Sequence, residues 1–267
     1  MTLSLGYSPC PNDTFIFDAL VNGRIDTGGL DFTVTLADVE ELNRRAFSGE
    51  LQLTKLSYHA YAHLRDRYAL LDAGSALGRG VGPLLVHRAG GPLPPLDAGT
   101  RVAIPGRYTT ANYLLGLAYP AATNRHEVLF SDIEARVLDG TYDAGLLIHE
   151  NRFTYADRGL ARIRDLGAYW ESLTDLPIPL GGIAARRDLP EELRHRIGRL
   201  LAASVQYAFD HPAASADYVR AHAQEMDPEV VRQHIDLYVN DYTRDLGAEG
   251  RRAVDFFLAR AAPPAPR

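Results

Sequence analysis

A histidine at the end of a short apolar segment is the first residue whose type and position suggest chemistry. Residues 144–148 are apolar apart from one glycine and too few for a helix, so they predict a strand buried on both faces. His149 follows directly, and open α/β sheets bind ligands beside the carboxyl ends of their strands. Because imidazole exchanges protons near neutral pH, His149 is a candidate general base. A histidine that only hydrogen-bonds to nearby backbone would explain the same pattern.

The second candidate is a lysine in a chain that otherwise uses arginine. All but one of the 28 basic residues are arginine, and the exception is Lys55. The arginine excess indicates the codon preference of a genome, whereas a position that keeps an ammonium can require a compact point charge. Lys55, Leu56 and Ser57 end a short alternating segment that predicts a strand leading into a helix, so they also lie at a carboxyl end. Chance is the alternative explanation for the single lysine.

Two further junctions between a strand and a helix carry polar residues suited to anion binding. Ser8 and Asn12 follow the strand predicted over 3–7, and Arg107, Thr109 and Thr110 follow the strand predicted over 101–104. Unpaired N–H groups at a helix start, together with hydroxyl groups, form a site of the size of a carboxylate. Ordinary N-capping would account for the same side chains.

Composition limits the classes of function. The chain has 267 residues, of which 46% are hydrophobic, and a formal net charge of −6, which gives no basic field for nucleic acid. No segment approaches the roughly 18 apolar residues of a membrane helix, and no secretory signal opens the chain, so we expect a cytoplasmic protein with no membrane partner. The single cysteine, Cys10, cannot form an internal disulfide or a cysteine-based metal site, and we expect a small buried residue.

Patterns of strands and helices divide the chain into two lobes. The first α/β segment includes a helix predicted over 58–68, a Pro- and Gly-rich linker covers 89–99, and the chain after His149 is predicted to be irregular. Gly- and Pro-rich clusters precede two strands, near 84–87 and 183–184, and suggest paired strands that cross between lobes. Helices are predicted over 191–209, 213–224, 228–238 and 250–259. Lobe 1 would comprise residues 1–86 and 183–267, and lobe 2 residues 87–182.

Five motifs, in chain order, resemble one enzyme family. They are SPCPNDTF at 8–15, TKLSY at 54–58, GRGVGP at 78–83, PGR at 105–107 with TT at 109–110, and IHE at 148–150 with RFTY at 152–155. Over residues 3–242 the chain is similar to the 1,4-dihydroxy-6-naphthoate synthase family, which acts in the futalosine route to menaquinone.

This resemblance implies a fold, a reaction and a set of site residues. The fold is α/β and two-lobed, like type II periplasmic binding proteins, with mixed sheets in each lobe and a ligand cleft between them. The reaction is that of a lyase, which converts cyclic dehypoxanthinyl futalosine to 1,4-dihydroxy-6-naphthoate and dihydroxyacetone without a metal or other cofactor. The family's proton-accepting histidine corresponds to His149. Its substrate-contacting segments correspond to Lys55, Leu56, Ser57, Thr109 and Thr110, and Ser8, Asn12 and Arg107 complete the candidate set.

Two other functions are compatible with the sequence. Chorismate dehydratase of the same pathway shares the fold, and a non-catalytic cytoplasmic protein that binds small carboxylates would share the lobes and junctions. Because a carboxylate can be held without an imidazole, His149 favours an enzyme over a binding protein. Carbon–carbon cleavage driven by aromatisation needs a base, which suits His149, and donors for the developing charge, which suit Lys55 and Ser57. The sequence leaves open whether the chain forms a homodimer, how far the lobes close and which group is the general acid.

Overall fold

The computed structural model describes residues 1–223 and 227–262 and divides the chain into two compact units. Unit 1 comprises Met1–Gly78 and Pro179–Arg267, and unit 2 comprises Arg79–Ile178, so that in sequence the second is inserted into the first. Among the described residues, no helix is both long enough and apolar enough to span a bilayer.

Both units mix strands and helices. The strands are β1 (Thr2–Tyr7), β2 (Asp31–Leu36), β3 (Leu53–Ser57), β4 (Tyr68–Leu70), β5 (Ala76–Gly78), β6 (Leu84–Arg88), β7 (Val102–Ile104), β8 (Arg125–Glu127), β9 (Ala144–Leu147), β10 (Leu160–Asp165) and β11 (Ile178–Arg186). The helices are α1 (Pro11–Val21), α2 (Val39–Ser48), α3 (Tyr58–Ala62), α4 (Thr110–Ala118), α5 (Ile133–Leu138), α6 (Asn151–Thr154), α7 (Leu166–Thr174), α8 (Glu191–Asp210), α9 (Ala216–His222), α10 (Pro228–Tyr238), α11 (Asp241–Arg244) and α12 (Gly247–Ala261), with a 3-10 turn at Phe130–Asp132.

The sheet of unit 1 brings two parallel carboxyl ends together. Its strand order is β2-β1-β3-β11-β4, and β5 pairs with β11. β1 runs parallel to β2 and to β3, with Leu5 beside Leu53, whereas β11 runs antiparallel to β3. Residues that follow β1 and those that end β3 therefore lie at the same edge of this sheet.

Helix α1 is enclosed by the core of unit 1. Every residue from Pro11 to Leu20 is buried, and Cys10 at the N-cap is buried as predicted. Pro11 occupies the first turn, where a residue without an N–H is tolerated. Because the helix has almost no contact with solvent, its polar side chains must find partners inside the protein. This requirement underlies the hydrogen bonds of Asn12 and Asp13 described below.

The sheet of unit 2 has the order β10-β6-β9-β7-β8, with β7 parallel to β8 and β9. Gly145 in β9 permits α5 to pack closely on this sheet, because a Cβ there would lie 2.6 Å from Ile133 Cγ2 and 2.8 Å from Val137 Cγ2. The glycine within the apolar segment therefore serves packing between the helix and the sheet.

The structure changes several details of the predicted organisation. β6 pairs with β9 and β10, whereas β11 pairs with strands of unit 1, so the prediction that these two strands pair with each other is wrong. Since β6 is hydrogen-bonded within the sheet of unit 2, residues 79–86, predicted in lobe 1, fall in unit 2. Residues 179–182, predicted in lobe 2, fall in unit 1, because β11 pairs with strands of that unit. A ligand cleft between the lobes stays a prediction.

Local patterns also missed some elements. The helix predicted over 58–68 ends at Ala62, and Tyr68 begins β4, because pairing with β11 decides the structure of this segment. The segment after His149 contains α6, β10 and α7, although it was predicted to be irregular. Asp165 caps α7 by accepting hydrogen bonds from Gly167 N and Ala168 N, a capping residue visible in the sequence.

The C-terminal helices of unit 1 follow the predicted order. The four predicted segments correspond to α8, α9, α10 and α12, whose ends differ by a few residues, and α11 was not predicted. Gln224, the predicted end of the second of these helices, lies outside the described residues.

Candidate active site

Lys55, predicted at the carboxyl end of its strand, is the middle residue of β3, which ends at Ser57, and it has a buried ion-pair partner. Its Nζ atom lies 2.6 Å from Asp13 Oδ1, and the two residues are 6% and 1% exposed. Because both charges are removed from water, loss of either partner would leave an uncompensated buried charge at a cost of about 3–5 kcal/mol. In the sequence, Asp13 appeared only within the motif at 8–15, and this pair was not predicted.

Four hydrogen bonds converge on the Asp13 carboxylate. Oδ2 accepts from the backbone N of Ser8 at 3.2 Å and from its Oγ at 2.8 Å. Oδ1 accepts from Asn12 Nδ2 at 2.9 Å in addition to Lys55 Nζ. A carboxylate offers about four lone-pair positions, so Asp13 is fully engaged by its neighbours. The predicted residues Ser8 and Asn12 are thus joined to Lys55 through Asp13, and their contact with a substrate stays a prediction.

A histidine from a distant part of the chain extends this network. His234 on α10 is 0% exposed, and its Nε2 lies 2.8 Å from Asn12 Oδ1. The two residues are separated by 222 positions, and nothing in the local sequence around His234 indicates a link to the strand ends. Only the packing of α10 on α1 brings them together.

Ser57, at the start of α3, is held by Asn43 on α2. Asn43 Oδ1 accepts from the backbone N of Ser57 at 3.0 Å, and Asn43 Nδ2 donates to Ser57 Oγ at 3.1 Å. Asn43 Nδ2 also lies 3.3 Å from Glu40 Oε2. Since Ser57 Oγ accepts from Asn43, its own hydrogen points elsewhere and suits donation to a ligand. Leu56 lies between Lys55 and Ser57 in β3 and is buried. Its predicted contact with a substrate is untested.

Glycines of β11 make room for the Lys55 side chain. Gly181 lies opposite Ser57 across the antiparallel ladder. A Cβ atom on Gly181 would lie 3.0 Å from Leu56 O and 3.1 Å from Lys55 Cε. Both distances are tighter than ordinary van der Waals contact, so this strand approaches Lys55 closely only because the residue is glycine. From the sequence, Gly181 was predicted only to belong to a segment that crosses between lobes.

In unit 2, His149 follows β9 in a left-handed backbone conformation. Its φ angle is 60°, and its ring packs edge-on against Phe130 with centroids 4.9 Å apart. A residue other than glycine pays about 1–2 kcal/mol for this conformation, and such strain concentrates at functional sites. β9 ends at Leu147, so the strand stops before the histidine and the chain turns at His149 itself. The predicted position of His149 at a carboxyl end is confirmed.

Thr109 and Thr110 lie at the same sheet edge as His149. β7 precedes them and runs parallel to β9, so their carboxyl ends share one edge. Thr109 Oγ1 donates to Gly106 O at 2.8 Å and accepts from Asn112 N at 3.2 Å, so it caps α4 as the capping alternative predicts. Binding of a carboxylate at this helix start stays a prediction.

Arg107 precedes this helix start and is exposed. Its backbone N donates to Glu127 Oε2 at 3.1 Å, and its guanidinium carbon lies 5.7 Å from the centroid of the Tyr108 ring. The position is compatible with recruitment of an anion from solvent, and a direct contact with substrate is untested.

Burial controls the ionisation of the tyrosine nearest to the Asp13 network. Tyr7 ends β1, stacks on Phe17 with centroids 4.3 Å apart, and shares a 2.5 Å hydrogen bond between its hydroxyl and that of Tyr218. Burial raises the pKa of Tyr7 far above its ordinary value near 10, and the bond to Tyr218 raises it further. Tyr7 is therefore a neutral hydrogen-bonding group at physiological pH.

Comparison with known proteins shows the family of this chain. A family model described as menaquinone biosynthesis matches residues 3–263. The chain belongs to the menaquinone biosynthesis family. Two relatives in this comparison are named 1,4-dihydroxy-6-naphtoate synthase. The protein from Thermus thermophilus is 53% identical over 99% of this chain and 97% of its own length, and the protein from Streptomyces coelicolor is 47% identical over 98% and 93%.

Solved structures show the fold to which this chain is similar. A protein from Archaeoglobus fulgidus, 38% identical, superposes with a TM-score of 0.90 over 97% of each chain. A Candida albicans protein described as exhibiting the generic periplasmic binding protein structural fold is 14% identical and has a TM-score of 0.69, over 100% of this chain and 92% of its own. The resemblance of the five motifs and the predicted periplasmic-binding-protein-like fold are confirmed.

Proposed function

We propose that this member of the menaquinone biosynthesis family is a lyase that converts cyclic dehypoxanthinyl futalosine to 1,4-dihydroxy-6-naphthoate and dihydroxyacetone. The observation that carries the proposal is the identity of 53% and 47%, over nearly the whole chain, to two relatives named for synthesis of that product. Three of the five motifs, at 8–15, 54–58 and 105–110, lie at the predicted junctions between a strand and a helix, and this placement supports the same reaction.

His149 is the proposed general base. Its position after β9 supports this role, because the carboxyl edge of such a sheet is where ligands bind. The left-handed backbone adds support, since strain of this kind persists where a side chain must point in one functional direction. In the proposed reaction His149 removes a proton from the substrate, and formation of the aromatic ring drives the carbon–carbon cleavage.

Lys55 and Ser57 are the proposed donors to substrate oxygen. Asp13 takes one of the three hydrogens of the Lys55 ammonium, and the other two suit a carboxylate or a developing oxyanion. Asn43 Nδ2 donates to Ser57 Oγ, so the hydroxyl hydrogen of Ser57 points away from Asn43 and suits donation to the substrate. That Lys55 and His149 act on one substrate molecule stays a prediction.

Thr109 and Thr110 are the proposed anchor for a carboxylate of the substrate. α4 is nine residues long, and its first N–H groups carry partial positive charge. Because Thr109 Oγ1 already caps the helix, we assign the direct contact to Thr110 and to backbone N–H groups.

The function is tested by incubating purified protein separately with cyclic dehypoxanthinyl futalosine and with chorismate. Appearance of a naphthoate chromophore and dihydroxyacetone with the first compound is the expected result. Consumption of chorismate by loss of water would replace the proposal with chorismate dehydratase. Tight binding without turnover of either compound would indicate a binding protein. A His149→Asn variant, in which a residue tolerant of left-handed backbone replaces the imidazole, shows whether turnover depends on the proposed base.

Other properties implied by the resemblance stay predictions. They are a small-molecule carboxylate as the partner, catalysis without a cofactor, and a cytoplasmic location. Assay of desalted protein without additives tests the second, and sedimentation measurements distinguish a monomer from a homodimer.

A further inference from the structure

We infer that His234, Asn12 and Asp13 form a hydrogen-bonded chain that positions Lys55 for the substrate, so that helix α10 belongs to the binding machinery of unit 1. We call His234, Asn12, Asp13 and Lys55 together the positioning chain. The inference rests on the proposed function only for the identity of the substrate, because the chain itself is defined by contacts within unit 1. It assigns a role to His234, which no motif of the sequence indicated.

The direction of each hydrogen bond in the positioning chain is fixed by chemistry. An ionised Asp13 only accepts, so the Asn12 atom 2.9 Å away must be the NH₂ group. Asn12 therefore presents its oxygen to His234, 2.8 Å away. That oxygen cannot donate, so His234 Nε2 must carry the hydrogen. Asp13 thus fixes which way the Asn12 amide faces, and the hydrogen bond from His234 Nε2–H to Asn12 Oδ1 holds the amide in that orientation.

Burial makes this arrangement rigid. His234 is 0% exposed, and Asn12, Asp13 and Lys55 are 7%, 1% and 6% exposed, so water competes little for their hydrogen bonds. Asn12 and Asp13 lie in the first turn of α1, while His234 lies on α10, which packs on α1. A change at α10 is therefore transmitted to the Asp13 carboxylate through two hydrogen bonds, His234 to Asn12 and Asn12 to Asp13, whose donors and acceptors are fixed.

Asp13 in turn controls the direction of the Lys55 ammonium. An ammonium carries its three hydrogens in tetrahedral directions, so fixing one of them on Asp13 Oδ1 restricts where the other two point. Asp13 has all its lone pairs engaged, which suits a positioning residue rather than one that contacts the substrate. Removal of His234 Nε2–H would free the Asn12 amide to rotate and would loosen Asp13.

The chain offers an unusually direct probe of this inference, because Lys55 is its only lysine. Protein grown with ¹³C-lysine gives a single lysine Cε–Hε resonance, which reports the environment of the ammonium without any assay of catalysis. His234→Leu removes the donor, whereas His234→Gln places an amide N–H near the position of Nε2. His195→Leu, at an exposed histidine of α8, is the matched control.

We expect Asp13→Asn to shift the Lys55 resonance and His234→Leu to shift it in the same direction. His234→Gln and His195→Leu should leave it near the wild-type position. In turnover, His234→Leu should lower kcat/KM by up to about 100-fold, as small displacements of positioned groups do, and His234→Gln should recover most of the loss. If His234 had only a structural role, His234→Leu would lower thermal stability, and His234→Gln would not recover the lost kcat/KM.

The outcomes separate this inference from the proposed function. An unchanged Lys55 resonance in folded His234→Leu would overturn the role of His234, and an unchanged resonance in Asp13→Asn would overturn the whole positioning chain. If His234→Leu does not fold, Asn12→Ala cuts the chain at the next bond, and an unchanged resonance there also overturns it. Wild-type protein that fails to convert cyclic dehypoxanthinyl futalosine refutes the function alone, since the resonance shifts still decide the positioning chain.

Discussion

The left-handed backbone at His149 predicts an inverted order of stability for two substitutions. At most positions alanine gives a more stable protein than glycine, because glycine leaves the unfolded chain more freedom. At φ 60° the order should reverse, since alanine keeps the strain of this conformation and glycine removes it. We therefore expect His149→Gly to be more stable than His149→Ala, although both should lose activity.

The size of the difference follows from two opposing terms. Glycine avoids the roughly 1–2 kcal/mol that a Cβ costs in the left-handed region. It forfeits about 0.4–1 kcal/mol through the entropy of the unfolded chain. Both variants lose the edge contact of the imidazole with Phe130, so that contact cancels in the comparison. The net preference for glycine is on the order of 0.5–1 kcal/mol in the free energy of unfolding.

Urea unfolding followed by circular dichroism measures this difference, and naphthoate absorbance measures turnover. His195 supplies the control, because it lies in helix α8, where glycine should be less stable than alanine by about 1 kcal/mol. Both variants at position 149 should lose about 10²–10⁴-fold in turnover, the usual contribution of a general base. Greater stability of His149→Ala than of His149→Gly would refute the backbone argument, and near-normal turnover of either would refute the base.

Four further predictions concern two substitutions around Lys55, the pH dependence of stability and the need for a metal. Lys55→Arg should lower kcat/KM by at least about tenfold despite the conserved charge, because a planar fork does not replace an ammonium, and kinetics equal to wild type would show that the lone lysine is accidental. Gly181→Ala should raise KM and lower the free energy of unfolding by about 1–3 kcal/mol, because its methyl group would crowd Lys55 Cε, and unchanged kinetics would exclude this effect. Burial raises the pKa of Tyr58, so the unfolded chain releases this proton near pH 10 while the folded chain retains it. Stability should therefore fall as pH rises above about 10, and Tyr58→Phe should reduce that slope in urea titrations at successive pH values. Dialysis against a chelator should leave turnover unchanged, whereas loss that added metal ions restore would contradict catalysis without a metal.

The sequence predicted the strand ends well because they depend on local patterns. A short apolar segment followed by a polar residue located His149 after β9, and a short alternating segment located Lys55 and Ser57 in the strand that ends at Ser57. A local pattern also predicted a helix over residues 58–68, and this was wrong, because pairing between β4 and β11 decides the structure of that segment. Such pairing joins residues more than a hundred positions apart, and no local pattern encodes it.

The partners of the predicted residues were not predictable for the same physical reason. Asp13 was visible only as part of a helix start, and its bond to Lys55 spans 42 positions. His234 resembles any histidine on an amphipathic helix until α10 is packed on α1. A signal was present for Asp13, since an acidic residue next to the mostly apolar segment 15–21 requires an internal partner when that helix is buried. No comparable signal exists for His234.

The single lysine can now be explained by the space around it. Lys55 donates to Asp13 at 2.6 Å, while β11 approaches so closely that a Cβ on Gly181 would lie 3.1 Å from Lys55 Cε. A guanidinium is wider than an ammonium and presents its donors in one plane, so we expect that an arginine here would displace the strand opposite in order to reach Asp13. Codon preference replaces lysine by arginine where either residue fits. We therefore expect that the narrow gap beside Gly181 and the buried carboxylate of Asp13 together select a compact cation at position 55, which the Lys55→Arg kinetics test.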